Sequence, residues 1–200
     1  MVKKSLIEDI RKKQIIDSAI ASIAAYGYVK TTLNQIANEA NISKGVITYY
    51  FKSKDSLLLA VLNKILKSIK EYIEDRVRNA ETPIEKLKEY IFASFDHMIE
   101  NRRYYEAQVE LWSNLEYKKK VNEKLCIECI NTVSRLIKEA TRDIDSGKID
   151  HETIASLIQA TIDGTMIQWV FNEQSVNLEN SRDSLWNIIY TFVTKCSEKE

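Results

Sequence analysis

Between Lys44 and Lys54 the chain places Lys44, Gly45, Thr48, Tyr49, Tyr50, Lys52 and Lys54 within eleven residues. Cations, hydroxyls and a side-chain-free backbone position suit a polyanion. Phosphate oxygens accept hydrogen bonds from lysines, hydroxyls and the free amides of a helix N-terminus. Base edges are read by side chains on an exposed helix face. Lys44 can donate to guanine, and Thr48 can touch a thymine methyl or a base edge. Gly45 lets backbone come close, and Tyr49 can meet either a base or a phosphate. Tyr50 and Lys52 can reach a phosphate. Thr31 and Thr32 stand where a helix begins and can face another. The plainer alternative is a solvated helix face carrying lysines and tyrosines.

Other chemistries lack their residues. There is no phosphate-binding glycine loop, no H-E-x-x-H and no nucleophile elbow, so no catalytic residue is assigned and an enzyme is not expected. Cys126 and Cys129 form a C-x-x-C inside a predicted helix, without a second pair and with His97 and His151 far off in sequence. Helix packing accounts for it, with zinc or a redox switch as the alternatives. No metal or cofactor is assigned.

The stretch needs elements to hold it. One proline and four glycines in 200 residues leave too few turn residues for an all-β chain, so the expected fold is all-α. Ile16, Ala19, Ile20, Ile23 and Ala24 recur at helical spacing and predict a first helix over about 8–26, ended by Gly27. Thr32 and Gln35 have capping-box spacing and open a short second helix. Asn41 enters the left-handed region at modest cost and turns the chain. Ser43 then caps a third helix over about 44–50. Two short helices across a tight turn make a helix-turn-helix, with Ile36, Ala37, Ala40, Ile47 and Phe51 as its core.

Six longer helices follow, near 54–79, from Thr82–Pro83, from about 102, and near 118–144, 151–171 and 182–196. Charge divides the same way. Residues 1–54 hold nine cations against four anions, a net +5, and the remaining 146 residues carry −5. A basic head on an acidic body points to a polyanion partner for the head. No run is apolar enough to span a membrane and no secretory signal is expected. Three cysteines fit reduced thiols and a cytoplasmic setting.

Gly27, Thr31, Ile36, Ala37, Ala40, Ser43, Gly45, Phe51, Lys54 and Leu57 match, at fixed spacing over 31 residues, the DNA-binding head of TetR-type transcriptional regulators, which this chain resembles. Two positions depart from the common pattern. Asn41 stands where glycine is frequent, and Thr48 where tyrosine is frequent. A small hydroxyl there is similar to the family's choline/betaine-pathway repressors. The resemblance implies a DNA-binding domain over 1–54 and a ligand-binding and dimerisation domain over 55–200. It assigns Lys54, with Ser43 at the third helix's start, to the DNA contact. It implies a repressor that binds a palindromic double-stranded operator as a homodimer and is released by a small-molecule inducer. A helical protein-interaction or scaffold protein without specific DNA binding is the alternative.

For the dimer, the eighth helix offers Ala160, Gly164, Ile167 and Phe171, and the ninth offers Leu185, Ile188, Ile189 and Phe192. Two apolar stripes on one helix imply burial on two sides. The alternative is that both serve the protomer's own core. For the effector, aromatic and polar residues amid apolar stripes are candidates: Phe95, Met98, Tyr105, Gln108, Trp112, Asp163, Gln168 and Trp169. Each could equally be ordinary core. A tryptophan with a carboxylate suits a quaternary ammonium, and the same residues equally suit a greasy multidrug or acyl-chain pocket.

Overall fold

The computed structural model of the chain describes residues 2–112, 123–142 and 149–195. Among them are nine α-helices, one short 3-10 turn and no strand. The helices are α1 Val2–Tyr26, α2 Leu33–Glu39, α3 Lys44–Tyr50, α4 Lys54–Asn79, α5 Pro83–Glu100, α6 Arg102–Trp112, α7 Glu123–Ala140, α8 His151–Phe171 and α9 Leu178–Lys195. The all-α expectation holds. Cys126 of the C-x-x-C lies outside the described side chains.

The boundaries follow local chemistry. Gly27 ends α1 at φ 78, its N–H still bonded to Ile23 O at 2.9 Å. The Thr32–Gln35 capping box opens α2, and a second box, Thr82–Glu85 with Pro83 in the first turn, opens α5. Asn41 adopts φ 51, and Ile42 N–H reaches Ala37 O at 2.9 Å while Asn41 N–H reaches Asn38 O at 3.1 Å. That pair of bonds is a Schellman ending with asparagine in glycine's place. Two starts fall earlier than expected. α1 begins at Val2, and α9 at Leu178, where Asn177 Oδ1 accepts from Asn180 N–H at 2.7 Å.

The chain forms two compact units. The first is Met1–Ser68 with Arg102–Asn114, and the second is Ile69–Asn101 with Leu115–Glu200. Compactness therefore groups the first half of α4, and α6, with the N-terminal helices, whereas the division expected from function fell at 54/55. The reason is packing. Ile15, Ala19, Ile20 and Ile23 of α1 are buried, as are Leu57, Leu58, Val61, Leu62 and Ile65 of α4 and Ala107 and Leu111 of α6. α6 packs on α1. Each leucine, isoleucine or valine among them contributes about 1.5–3 kcal/mol on burial, and each alanine less.

In the second unit α5, α7, α8 and α9 pack together around Leu87, Ile91, Phe95, Val133, Ile137, Ile158, Ile162, Met166 and Trp169, all buried. An ion-pair chain ties its outer side. Arg76 binds Glu89 at 2.7 Å and also Asp96. Asp96 binds Arg182 at 2.6 Å, and Arg182 stacks over Phe92 at 4.5 Å.

Candidate nucleic-acid interface and effector residues

The head is held from behind before it presents anything outward. Gln14 of α1 donates from Nε2 to Ala40 O at 2.7 Å, capping the end of α2, and Arg11 donates to Gln14 Oε1 at 2.6 Å. Buried Ile36, Ala37, Ala40, Ile47 and Phe51 anchor α2 and α3, as their spacing predicted. What remains outward on α3 is Lys44, Gly45, Thr48 and Tyr49, the last 73% exposed. A Cβ added at Gly45 meets only Ser43 Oγ, at 3.6 Å, so the glycine there is not demanded by the fold. Thr48 Oγ1 donates its proton to Gly45 O at 3.0 Å. Its lone pairs and methyl are left to face a partner, so Thr48 can accept from a base amino group or touch a thymine methyl but cannot also donate.

Three more candidates lie at the edges of this surface. Thr32 is exposed and works as the α2 cap, and Ser43 accepts from Val46 N–H at the α3 N-terminus. Tyr50 is half-buried, edge-on to Tyr49 with ring centroids 5.0 Å apart, and Lys52 is exposed.

Thr31 departs from expectation. It is 1% exposed, and its hydroxyl donates inward to Gly27 O at 2.8 Å, with Ser22 O at 3.2 Å. The left-handed step at Gly27 rotates the following turn so that one threonine of the pair points in and the other out. Thr31 braces the turn and does not face phosphate. Lys54 also has a structural duty: its Nζ donates to Tyr28 O at 3.2 Å and sits 4.7 Å over the Tyr28 ring. An ammonium carries three donors, so others remain for an anion.

The turn carrying Tyr28 has a further holder that no local signal announces. Glu110 of α6 accepts from Tyr28 N–H at 2.9 Å, across 82 residues of sequence. A Cβ on Gly27 would lie 3.1 Å from the same carboxylate oxygen. Gly27 is thus required twice, by its positive φ and by the approach of Glu110.

The effector candidates divide between the units. In the first, Tyr105 and Gln108 are buried and Trp112 is half-buried. In the second, Phe95, Met98 and Trp169 are buried core. Asp163 is joined to a polar chain there: Tyr90 hydroxyl donates to Gln159 Oε1 at 2.9 Å, and Gln159 Nε2 donates to Asp163 Oδ1 at 2.9 Å. Burial pushes the Asp163 carboxyl above its usual range against the opposing bond from Gln159. Burial likewise raises the Tyr90 phenol well above 10, helped by the neighbouring Cys129. His97 is buried with its ring edge-on to Tyr72, and desolvation pushes its pKa down to about 4 although Glu100 pulls the other way. Gln168 is exposed and belongs to the outer face of α8, not to the interior. An open cavity of about 310 Å³ at the end of α7 is lined by Arg135, Lys138, Glu139 and Arg142, none of them an expected effector residue.

That outer face is apolar. Leu157, Ala160, Ile167 and Phe171 are exposed, Phe171 at 76%, and a Cβ on Gly164 would meet nothing within 4 Å. On α9 Ile188 is 65% exposed and Phe192 half-buried. Leu185 and Ile189 face the other way: at 7% and 8% exposure they are covered by the chain itself, so they serve the protomer core instead of the predicted dimer face.

Residues 15–61 match the family of bacterial regulatory proteins of the tetR type, and residues 61–191 match the C-terminal region of YsiA-like proteins. The chain belongs to the tetR family. It is a DNA-binding transcription regulator and not an enzyme. A fatty acid metabolism regulator protein of Bacillus subtilis is 31% identical over 186 residues, spanning 88% of this chain and 92% of the relative. The regulator BetI of Cronobacter sakazakii is 26% identical over 180 residues, spanning 88% and 87%. The solved structure of FadR from Bacillus subtilis in complex with stearoyl-CoA superposes with a TM-score of 0.75 at 29% identity, over 88% of this chain and 96% of that one. The head resemblance thus extends through the body, where the sequence alone offered no comparable motif.

Proposed function

We propose that this tetR-family regulator is a cytoplasmic repressor of genes for fatty acid metabolism, bound to a palindromic operator as a homodimer and released by a long-chain acyl thioester. The observation that carries the effector class is the likeness to a fatty acid metabolism regulator over 88% of the chain. Thr32, Ser43, Lys44, Gly45, Thr48, Tyr49, Tyr50, Lys52 and Lys54 are the residues we assign to DNA. A second copy of the chain would cover Ala160, Gly164, Ile167 and Phe171 with Ile188 and Phe192. Two-fold symmetry then matches two half-sites of one operator. Effector binding favours a body conformation in which the heads are spaced wrongly for adjacent major grooves, a population shift set by differential affinity.

Thr48 and the likeness to BetI favour a second effector class, small quaternary amines. One experiment separates them. Operator fragments are selected from a genomic library with purified protein, and release is titrated with stearoyl-CoA and with choline or betaine aldehyde. Release by stearoyl-CoA alone supports the proposal, and release by the amines alone replaces it. Recovery of no sequence-specific fragment at any salt concentration would leave the scaffold alternative and end both.

A further inference from the structure

The opening turns of α1 run ahead of the core they lead into. Among the described side chains of residues 6–14 none is buried, and the first fully covered one is Ile15. Leu6, Ile7 and Ile10 stand 59%, 58% and 60% exposed. At about 100° per residue these three share about 100° of arc. The same spacing puts buried Ile15, Ala19 and Ile23 on the opposite side of the helix. One helix thus turns an aliphatic stripe inward from Ile15 onward and another outward before it.

Cations bracket the outward stripe. Lys3 and Lys4 precede it in the sequence and Arg11, Lys12 and Lys13 follow it, five against Glu8 and Asp9. The stretch joins the rest of the head at Gln14, which bonds Ala40 O. A helical stretch of about three turns is marginal in water without packing, and aliphatic side chains on its solvent face do not support it there.

The pattern selects among partners. A phosphate backbone rewards the cations and leaves the aliphatic stripe in water. An apolar protein groove rewards the stripe and leaves the cations unanswered. A bilayer containing anionic lipid rewards both: aliphatic side chains enter the acyl boundary while lysines and arginines lie among the headgroups. Lysine stems bridge the two levels, apolar along their length and charged at the tip. Exposed Asp17 lies farther along the outward side and ends the stripe, since anionic headgroups repel it.

We infer that residues 3–13 of α1 form a membrane-surface site, with Leu6, Ile7 and Ile10 seated in the interface of an anionic bilayer that the helix does not span. The site is separate from the effector reading and stands or falls without it.

The test is flotation of the full chain with phosphatidylcholine vesicles and with vesicles of equal parts phosphatidylcholine and phosphatidylglycerol. Binding is expected to the mixed vesicles and not to phosphatidylcholine alone. Leu6→Ala with Ile10→Ala, which keeps helix propensity, should weaken that binding about ten-fold and leave operator affinity within about two-fold. Lys12→Gln with Lys13→Gln should weaken it about ten-fold or more. A wild-type chain that does not float with mixed vesicles overturns the proposal, as does an alanine variant that floats like wild type, because charge alone would then hold the chain. An equal loss of operator affinity in the alanine variant would give the stripe to DNA. A smaller mass than wild type in light scattering would give it to a contact between copies.

Discussion

Substituting Gly27 and Glu110 separately and together tests how the head's first turn is held. Alanine at Gly27 must adopt φ 78, which costs about 1–2 kcal/mol for a residue with a Cβ. That Cβ would also stand 3.1 Å from Glu110 Oε2, the atom that accepts from Tyr28 N–H at 2.9 Å. The carboxylate must give way by a few tenths of an ångström, and in doing so it weakens a bond to a charged acceptor worth about 1.5–3 kcal/mol. Gly27→Ala should therefore cost about 2–4 kcal/mol, and Glu110→Ala about 1.5–3 kcal/mol. In the Glu110→Ala background the crowding is gone, and Gly27→Ala should cost only its backbone strain, about 1–2 kcal/mol.

The expected coupling is about 1 kcal/mol or more, well outside the few tenths found for independent sites. Urea unfolding of the four proteins at one protein concentration measures it. Melting shifts of roughly 2–4 °C per kcal/mol give a second reading for a chain of this size. Strict additivity would show that Glu110 does not hold the turn. A Glu110→Ala protein as stable as wild type would show that the bond to Tyr28 contributes nothing.

Four further outcomes are expected. His97 has a folded pKa of about 4, below its ordinary 6.5. The folded state thus takes up its proton later than the unfolded state, and its contribution is intact above pH 6.5 and lost as pH falls toward 4, by at most about 3 kcal/mol. A His97→Phe variant should lose correspondingly less stability between pH 8 and pH 4 in urea titrations. Asp96→Asn leaves Arg76 and Arg182 without their shared carboxylate and should cost about 1–3 kcal/mol by thermal unfolding, less at high salt. In operator binding by anisotropy, Lys52→Ala should weaken all sequences alike and reduce the salt slope by about 1, whereas Thr48→Ala should alter base preference. Phe171→Asp places a charge at an exposed apolar position of α8; if the proposed pairing is right, light scattering at micromolar concentration should show a dimer for the wild type and a monomer for the variant.

The legible parts of this fold were those decided within a few residues. Thr32 with Gln35, Thr82 with Pro83, Gly27 and Asn41 each announce a boundary because cap chemistry and backbone conformation are local. The inward face of the helix-turn-helix was legible from spacing for the same reason. Choices between neighbours were not. Thr31 and Thr32 are chemically alike, and only the geometry of the turn decides which hydroxyl is spent on Gly27 O. On α9, Leu185, Ile188 and Ile189 fall within one turn, and which of them the chain covers depends on helices packed from elsewhere. Gln168 reads as polar among apolar residues, yet its place on α8 puts it outside. The holders Gln14 and Glu110 act across 26 and 82 residues, beyond any pattern read in a window.

α6 shows what such distant contacts accomplish. Glu110 holds the backbone of the turn that starts the helix-turn-helix. The bond from Tyr28 N–H, 2.9 Å when made, falls off steeply with small displacements. The Tyr28 carbonyl and ring are in turn held by Lys54, assigned above to phosphate. Tyr28 thus stands between Glu110 of α6 and Lys54, one of the residues proposed for DNA, and Glu110→Ala should weaken operator binding in the anisotropy assay while leaving the buried α2 and α3 core intact.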